Sequence, residues 1–147
     1  MKDREPLKAF RSLLDSVRVG LLCTVGTDGT PHVRWMTATT LPGEHRFVYC
    51  VSGSGSVKVA DLEKNNKVQW SFQSASLDEV VTLDGRALVL DNPELKAQVL
   101  EHLGPDLQAF WRVQPDPKRL IVIETEIENA RLYRPMENTS VLEEAKR

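Results

Sequence analysis

Apolar residues between Pro6 and about Val17 recur at Leu7, Phe10, Leu13, Leu14 and Val17. That spacing stacks them on one face of a helix, and Pro6 suits a first helical position. Beyond it the period drops to two. Val19–Val25, Val33–Thr40 and Arg46–Val51 read as strands, joined through "GTDGTP", with Asp28-Gly29 at its centre, and through "LPGEH". These three predict an antiparallel meander. A Gly/Ser stretch, "VSGSGSVKVADL" from Val51 to Leu62, leads into a short helix from about Ser56 to Lys64, stopped by Asn65-Asn66. Val68, Trp70 and Phe72 then share one face of a strand over Val68–Gln73, and Glu79–Leu90 is a longer strand with a bend expected at Gly85. Asn92 as cap, Pro93 in the first turn and Gly104 past the end frame a second longer helix. "DLQAFWR" is a short helix or loop. Leu120–Ile127 and Ala130–Tyr133 are the last strands, joined near Glu128-Asn129, and the polar tail from about residue 135 is expected to fray.

Short antiparallel strands with few, irregularly placed helices predict a mainly β domain, a small barrel with flanking helices, rather than a doubly wound sheet. No repeat or long linker divides the chain, so residues 1–147 read as one domain. Lys and Arg number 19 against 21 Asp and Glu, and no basic run of five occurs. General binding to nucleic acid or a membrane surface is excluded, because both need a concentrated positive field. The first residues alternate charged and apolar groups, unlike a signal peptide, and nothing approaches the roughly 18 apolar residues of a membrane span. Cys23 and Cys50 lie within apolar runs and read as reduced, buried thiols. These features predict a cytoplasmic protein.

Candidate chemistry is sparse. His32, His45 and His102 have no partners at ligand spacing, so no metal site is expected. No nucleophile elbow, Cys/His arrangement or acid/base carboxylate pair is visible. The Gly/Ser segment lacks the lysine spacing of a phosphate-binding Walker loop and the third glycine of a dinucleotide fingerprint. Two readings of it stay open: a solvated turn, or a cradle in which serine hydroxyls and helix amides meet an anion. Lys58 favours the second, since a cation in a first helical turn is unfavourable by up to about 1 kcal/mol unless an anion shares the site. In "HVRWMTAT", Arg34 shares a strand face with Met36 and Ala38, and Val33, Trp35, Thr37 and Thr39 share the other. Arginine grips phosphate through two parallel hydrogen bonds, yet an Arg at a barrel rim can equally be solvated. Phe110-Trp111 suits core packing, a dimer contact or a lid over a flat ligand.

Three segments, "TVGTDGTPHVRWMT", "FVYCVSGSGSVKVADLEKNNKVQWSF" and "VTLDGRALVL", resemble the FMN-binding split barrels related to pyridoxamine 5′-phosphate oxidase, in the branch that contains the general stress proteins. The likeness runs over about residues 5–134. It implies a six-stranded Greek-key split barrel forming a homodimer, with FMN at the subunit interface, and a flavin-dependent oxidoreductase acting on a small molecule or NAD(P)H. By position it implies that Arg34, Trp35, Met36 and Thr37 line the flavin, that Val51 and Ser52 lie by its ring, and that Ser56 and Lys58 hold its phosphate. Trp111 would touch the partner subunit. The chain departs from the family pattern at Val57, where an Arg often precedes the Lys, and at Val80, where the true oxidases carry a flavin-contacting Gln. Trp35 stands where a small residue or Pro is commoner. The C-terminal substrate motif of those oxidases has no counterpart after Tyr133. Oxidation of vitamin B6 is therefore not expected, and a weaker hold on FMN is. Alternatives are a flavin-binding or stress-linked module without turnover, the same barrel with a deazaflavin or haem, and a structural dimer whose site has decayed.

Overall fold

A computed structural model describes residues 5–104 and 117–145. Helix α1, Pro6–Val17, turns its apolar stripe inward, with Ala9, Phe10, Leu13 and Leu14 buried and the Phe10 ring 5.1 Å from that of Phe72. It stops at Arg18, whose φ of 62° is left-handed and whose N–H donates to the Leu14 carbonyl. Strand β1, Val19–Val25, follows at once and forms a hairpin with β2, Pro31–Thr37, in a register that sets Leu22 opposite Arg34. The turn uses Gly29 at φ 87°, a value glycine reaches at no steric cost.

The meander ends there. Strand β3, Phe47–Gly53, lies along β6, Leu120–Arg134, and touches the chain beyond β2 through one bridge, Thr39 with Tyr49. Strand β4, Lys67–Gln73, pairs with β1 and with β5, Val80–Leu90, so the sheet runs β2-β1-β4-β5-β6-β3. Six strands thus curl into a barrel that stays open between β2 and β3, in keeping with a split barrel. Helix α2, Val57–Lys64, follows β3 and packs against β1 and β5, and α3, Pro93–Leu103, covers the outer face of β3 and β6.

Two further differences concern β6. The two short strands expected around Glu128-Asn129 are one, because the polar pair sits at a bulge. Asp84 faces Asn129 and Gly85 faces Ile127, which leaves Glu128 as the extra residue. At Gly85 the strands approach so closely that a Cβ would run into the Glu126 carbonyl oxygen and lie 2.9 Å from the Thr125 methyl. The tail expected to fray instead forms β7, Thr139–Glu144, paired along β6. Its alternation is weak because one face is solvated.

The barrel interior holds Leu22, Val48, Cys50, Trp70, Phe72, Leu83, Ile123 and Leu132, with α1 sealing one end. A second cluster, Leu41, Tyr49, Val51, Val99, Leu103 and Val122, fills the space under α3. Strand β6 starts with four consecutive buried residues because both of its faces are covered there. The expectation of two buried thiols holds for Cys50 only, since Cys23 faces outward and is half-buried.

Candidate functional site

Arg34 on β2 and the group Ser52, Ser56 and Lys58 at the end of β3 and start of α2 lie near enough for the Arg34 charge to act on Lys58. Arg34 follows the inward face of β2, and its side chain is only 21% exposed. Its Nη1 donates to the Leu22 carbonyl at 3.2 Å and to Thr24 Oγ1 at 2.8 Å, both on β1. Opposite, at the end of β3, Ser52 is buried and accepts a 2.7 Å hydrogen bond from Lys58 Nζ in the first turn of α2. Ser56 is the N-cap residue of that helix, yet its hydroxyl caps no amide and lies 3.1 Å from the Ser52 hydroxyl. Ser52, Ser56 and Lys58 therefore form one polar knot facing the strand that carries Arg34.

The knot concentrates positive charge in a partly desolvated setting. Burial pushes the Lys58 ammonium below its usual range, and the Arg34 charge pushes it further. Burial likewise lowers Arg34, against an opposing pull from Asp61. Among the described residues no carboxylate lies within ion-pair distance of Lys58. Arg34 has Asp61 as its ion partner at 3.8 Å, so the cation left without a carboxylate is Lys58, which is half-buried beside a like charge. The backbone contributes less than the Gly/Ser composition suggests. The Ser54 amide donates to the Arg119 carbonyl and the Ser56 amide to the Gly53 carbonyl. The unpaired donors are those of the first turn of α2, Val57 to Val59, as helix geometry requires.

The other candidates separate. Met36 is half-buried against the barrel core and Thr37 is half-buried at the end of β2. Trp35 is 63% exposed on the outer face of β2 beside Val33 at 59%. The Val51 side chain turns away from Ser52 into the cluster under α3, so only its main chain borders the cleft. Trp111 lies outside the described residues. Among the described residues no cluster of three metal-ligating side chains occurs, and no helix is long and apolar enough to cross a membrane. Two concavities, of about 610 Å³ between α2 and β5 and about 630 Å³ under α3, lie away from the knot.

One residue escapes sequence reading. Asp61, buried on α2, accepts hydrogen bonds from Thr24 Oγ1 at 2.8 Å and His32 Nδ1 at 2.7 Å and lies 3.8 Å from Arg34 Nη2, all at the same oxygen. The available signal is its helical position three residues after Lys58, between buried Val59 and Leu62. Burial opposes its ionisation, but the hydrogen bonds from His32 and Thr24, with the charges of His32 and Arg34, outweigh it and hold the carboxyl below the ordinary range. A lowered folded-state value stabilises the fold above the unfolded carboxylate range, near pH 3.9, and the gain is lost as pH falls through the folded value. Urea unfolding should therefore find Asp61→Asn less stable than wild type at neutral pH, with the gap narrowing below about pH 4.

A family model described as pyridoxamine 5′-phosphate oxidase matches residues 6–134. The chain belongs to this family. Solved structures agree on the fold. A Clostridium acetobutylicum protein related to general stress protein 26, of the pyridoxinephosphate oxidase family, is 18% identical over 94% of this chain and 93% of its own, with a TM-score of 0.75. A haem-binding protein from Mycobacterium smegmatis reaches the same TM-score at 19% identity, over 98% of this chain and 60% of its own. An F420 reductase reaches 0.65 at 18% identity, over 82% and 94%. At such identities the likeness to these structures is one of fold. No curated protein matches the sequence. As a pyridoxamine 5′-phosphate oxidase family member, the chain has its Arg34, Ser56 and Lys58 within the matched span.

Proposed function

We propose that the chain binds FMN in the cleft between β2 and β3 and acts as an oxidoreductase exchanging hydride between the flavin and a small organic substrate or NAD(P)H. The observation that carries this reading is the pair of half-buried cations, Arg34 and Lys58, facing Ser52, Ser56 and the first-turn amides of α2. A phosphate monoester carries nearly two negative charges and several acceptor oxygens, so it suits two cations, two hydroxyls and a helix N-terminus. When bound, FMN supplies the hydride chemistry, and the protein supplies anchoring and electrostatics. Arg34 and Lys58 would hold the phosphate, Ser52 and Ser56 would orient it, and the main chain of β2 through Thr37 would border the ring. Exposed Val33 and Trp35 on the outer face of edge strand β2 support a homodimer that covers the flavin.

The test is the absorbance spectrum of the purified protein, before and after reconstitution with FMN, with mass analysis of whatever is released. Flavin bands and a saturable isotherm are expected. A haem band, a deazaflavin mass or no binding would sink the FMN assignment. Bleaching of the bound flavin by NAD(P)H separates an oxidoreductase from a flavin-binding module.

Val57 gives a gain-of-function check. It is 65% exposed in the first turn of α2, so an Arg fits there without disturbing the core. Val57→Arg should tighten FMN binding about tenfold, roughly one charge-assisted hydrogen bond. It should also lower the melting temperature of the ligand-free protein slightly, because a further cation joins Lys58 in the first turn of the helix. Flavin fluorescence quenching and thermal melts with and without FMN measure both effects.

A further inference from the structure

Asp61 does more than neutralise charge. A hydroxyl has one proton to give, and Thr24 gives it to Asp61 Oδ2, which leaves the lone pairs of Thr24 Oγ1 facing Arg34 Nη1 at 2.8 Å. Arg34 Nη1 is thereby fixed to β1, while Asp61 Oδ2 sits 3.8 Å from Nη2. The same oxygen meets His32 Nδ1, and the His32 side chain is 37% exposed while that of Asp61 is 4% exposed. The imidazole has room because residue 26 is glycine, where a Cβ would lie 2.6 Å from His32 Cε1. A water-accessible histidine is thus joined through a buried carboxylate to the arginine of the cleft.

We infer that Asp61 is a positioning residue that fixes Arg34 for an anionic ligand and couples the binding of that ligand to the protonation of His32. The inference rests on the reading of Arg34 and Lys58 as a phosphate site. The charged groups around the relay are Asp61 and Lys58 on α2, Arg34 on β2 and Asp28 in the hairpin turn, where the His32 charge is also felt. With a neutral imidazole, the Asp61 charge offsets Arg34. With an imidazolium, Asp61 is shared, and more of the Arg34 field reaches the ligand. The sign follows: affinity for a phosphate should be higher with the imidazolium than with the neutral imidazole, so acidification favours binding. The carboxylate stays ionised throughout, held below its ordinary range by those same hydrogen bonds. The second protonation of the FMN phosphate, near pH 6, works in the opposite direction but is common to every variant.

FMN and riboflavin are titrated by fluorescence quenching between about pH 8 and 6 into the full chain, as wild type, His32→Gln, Asp61→Asn and the double variant. The ratio of wild-type to His32→Gln affinity for FMN should rise about fivefold on acidification, and riboflavin should show no such rise. In the Asp61→Asn background the His32→Gln change should have no effect. Thr24→Val, which keeps the shape and removes the relay hydroxyl, should weaken FMN and leave riboflavin unchanged, and it carries the test if Asp61→Asn fails to fold. Parallel pH profiles for wild type and His32→Gln would overturn the inference. So would a His32→Gln effect that persists undiminished without Asp61, since His32 would then act on the ligand directly. A wild-type protein that binds no FMN at any pH would remove the phosphate site itself, an outcome distinct from binding without coupling.

Discussion

Replacing both Arg34 and Lys58 by alanine is expected to abolish measurable FMN binding while leaving the fold intact. In the proposed site each side chain would make a charge-assisted hydrogen bond to a dianionic phosphate, worth about 1.5–3 kcal/mol when partly desolvated. A single Arg34→Ala change should therefore weaken FMN about 100-fold. The double variant should lose about 1,000-fold or more, short of the product of the singles because both bind one phosphate. Arg34→Lys should recover only part of the loss, since an ammonium cannot reproduce the planar fork that Leu22 and Thr24 already orient. The ligand-free stability should change far less than binding. Removing Arg34 relieves Lys58 of a like charge, at the cost of the bonds to β1 and of the cation beside buried Asp61, which keeps His32 and Thr24. The net loss in unfolding free energy should be about 1–3 kcal/mol, well short of unfolding the domain. Riboflavin is the control, because it keeps the ring and lacks the phosphate. Loss of the preference for FMN over riboflavin, with unchanged circular dichroism, is the expected signature. Equal binding of FMN by the double variant would rule out this cleft as the phosphate site.

The fold was readable in the sequence wherever a local pattern sets the structure, and unreadable where distant strands choose partners. Helix α1 begins and ends where its stripe does. Strands β1, β4 and β5 follow their alternation, since each has one face on the barrel core. Strand β3 is also visible, but its neighbour is not. Nothing in "RFVYCV" says that it abandons β2 for β6, some seventy residues on, because pairing depends on where the barrel closes. The Glu128-Asn129 pair misleads for a local reason. A bulge and a turn call on the same polar residues, and only the partner strand tells them apart. Strand β7 is hidden by its polar composition, since an edge strand against a solvated face needs little apolar alternation.

The site divides in the same way. Ser52, Ser56 and Lys58 are close in the chain, so their convergence follows from one strand end and one helix start. Arg34 could be proposed only from its strand face and the family order. Asp61 carried only a weak signal, its place between Val59 and Leu62, because a carboxylate inside a helix is ordinarily solvated. Its burial results from α2 packing over β1, which brings Thr24 and His32 to it. Val51 marks the limit of position-by-position inference, because alternation along β3 sends its side chain to the face opposite Ser52.

Trp70→Ala should be the most damaging single change to stability, and it also bears on how the cleft is held. Trp70 is fully buried, stacks on Phe72 at 5.5 Å and donates from Nε1 to Thr125 Oγ1 at 3.0 Å. Truncation removes a large buried side chain, about 3–5 kcal/mol, and leaves the buried Thr125 hydroxyl short of a partner, about 1 kcal/mol or more. That sum approaches the whole stability of an ordinary domain, so the variant should be largely unfolded at 37 °C. Trp70→Phe keeps most of the volume and loses the hydrogen bond, so it should fold and cost about 2 kcal/mol by urea unfolding. The link to the cleft is Leu22. It pairs with Trp70 on one side and with Arg34 on the other, and its carbonyl accepts from the Arg34 guanidinium. Strand β1 therefore carries core packing to the arginine. If the barrel holds β1 rigidly, Trp70→Phe will lower stability without changing FMN affinity, and saturating FMN will raise its melting temperature as much as it does in wild type. If affinity falls with stability, the core and the cleft are mechanically coupled through β1, and the rigid description of the site is wrong.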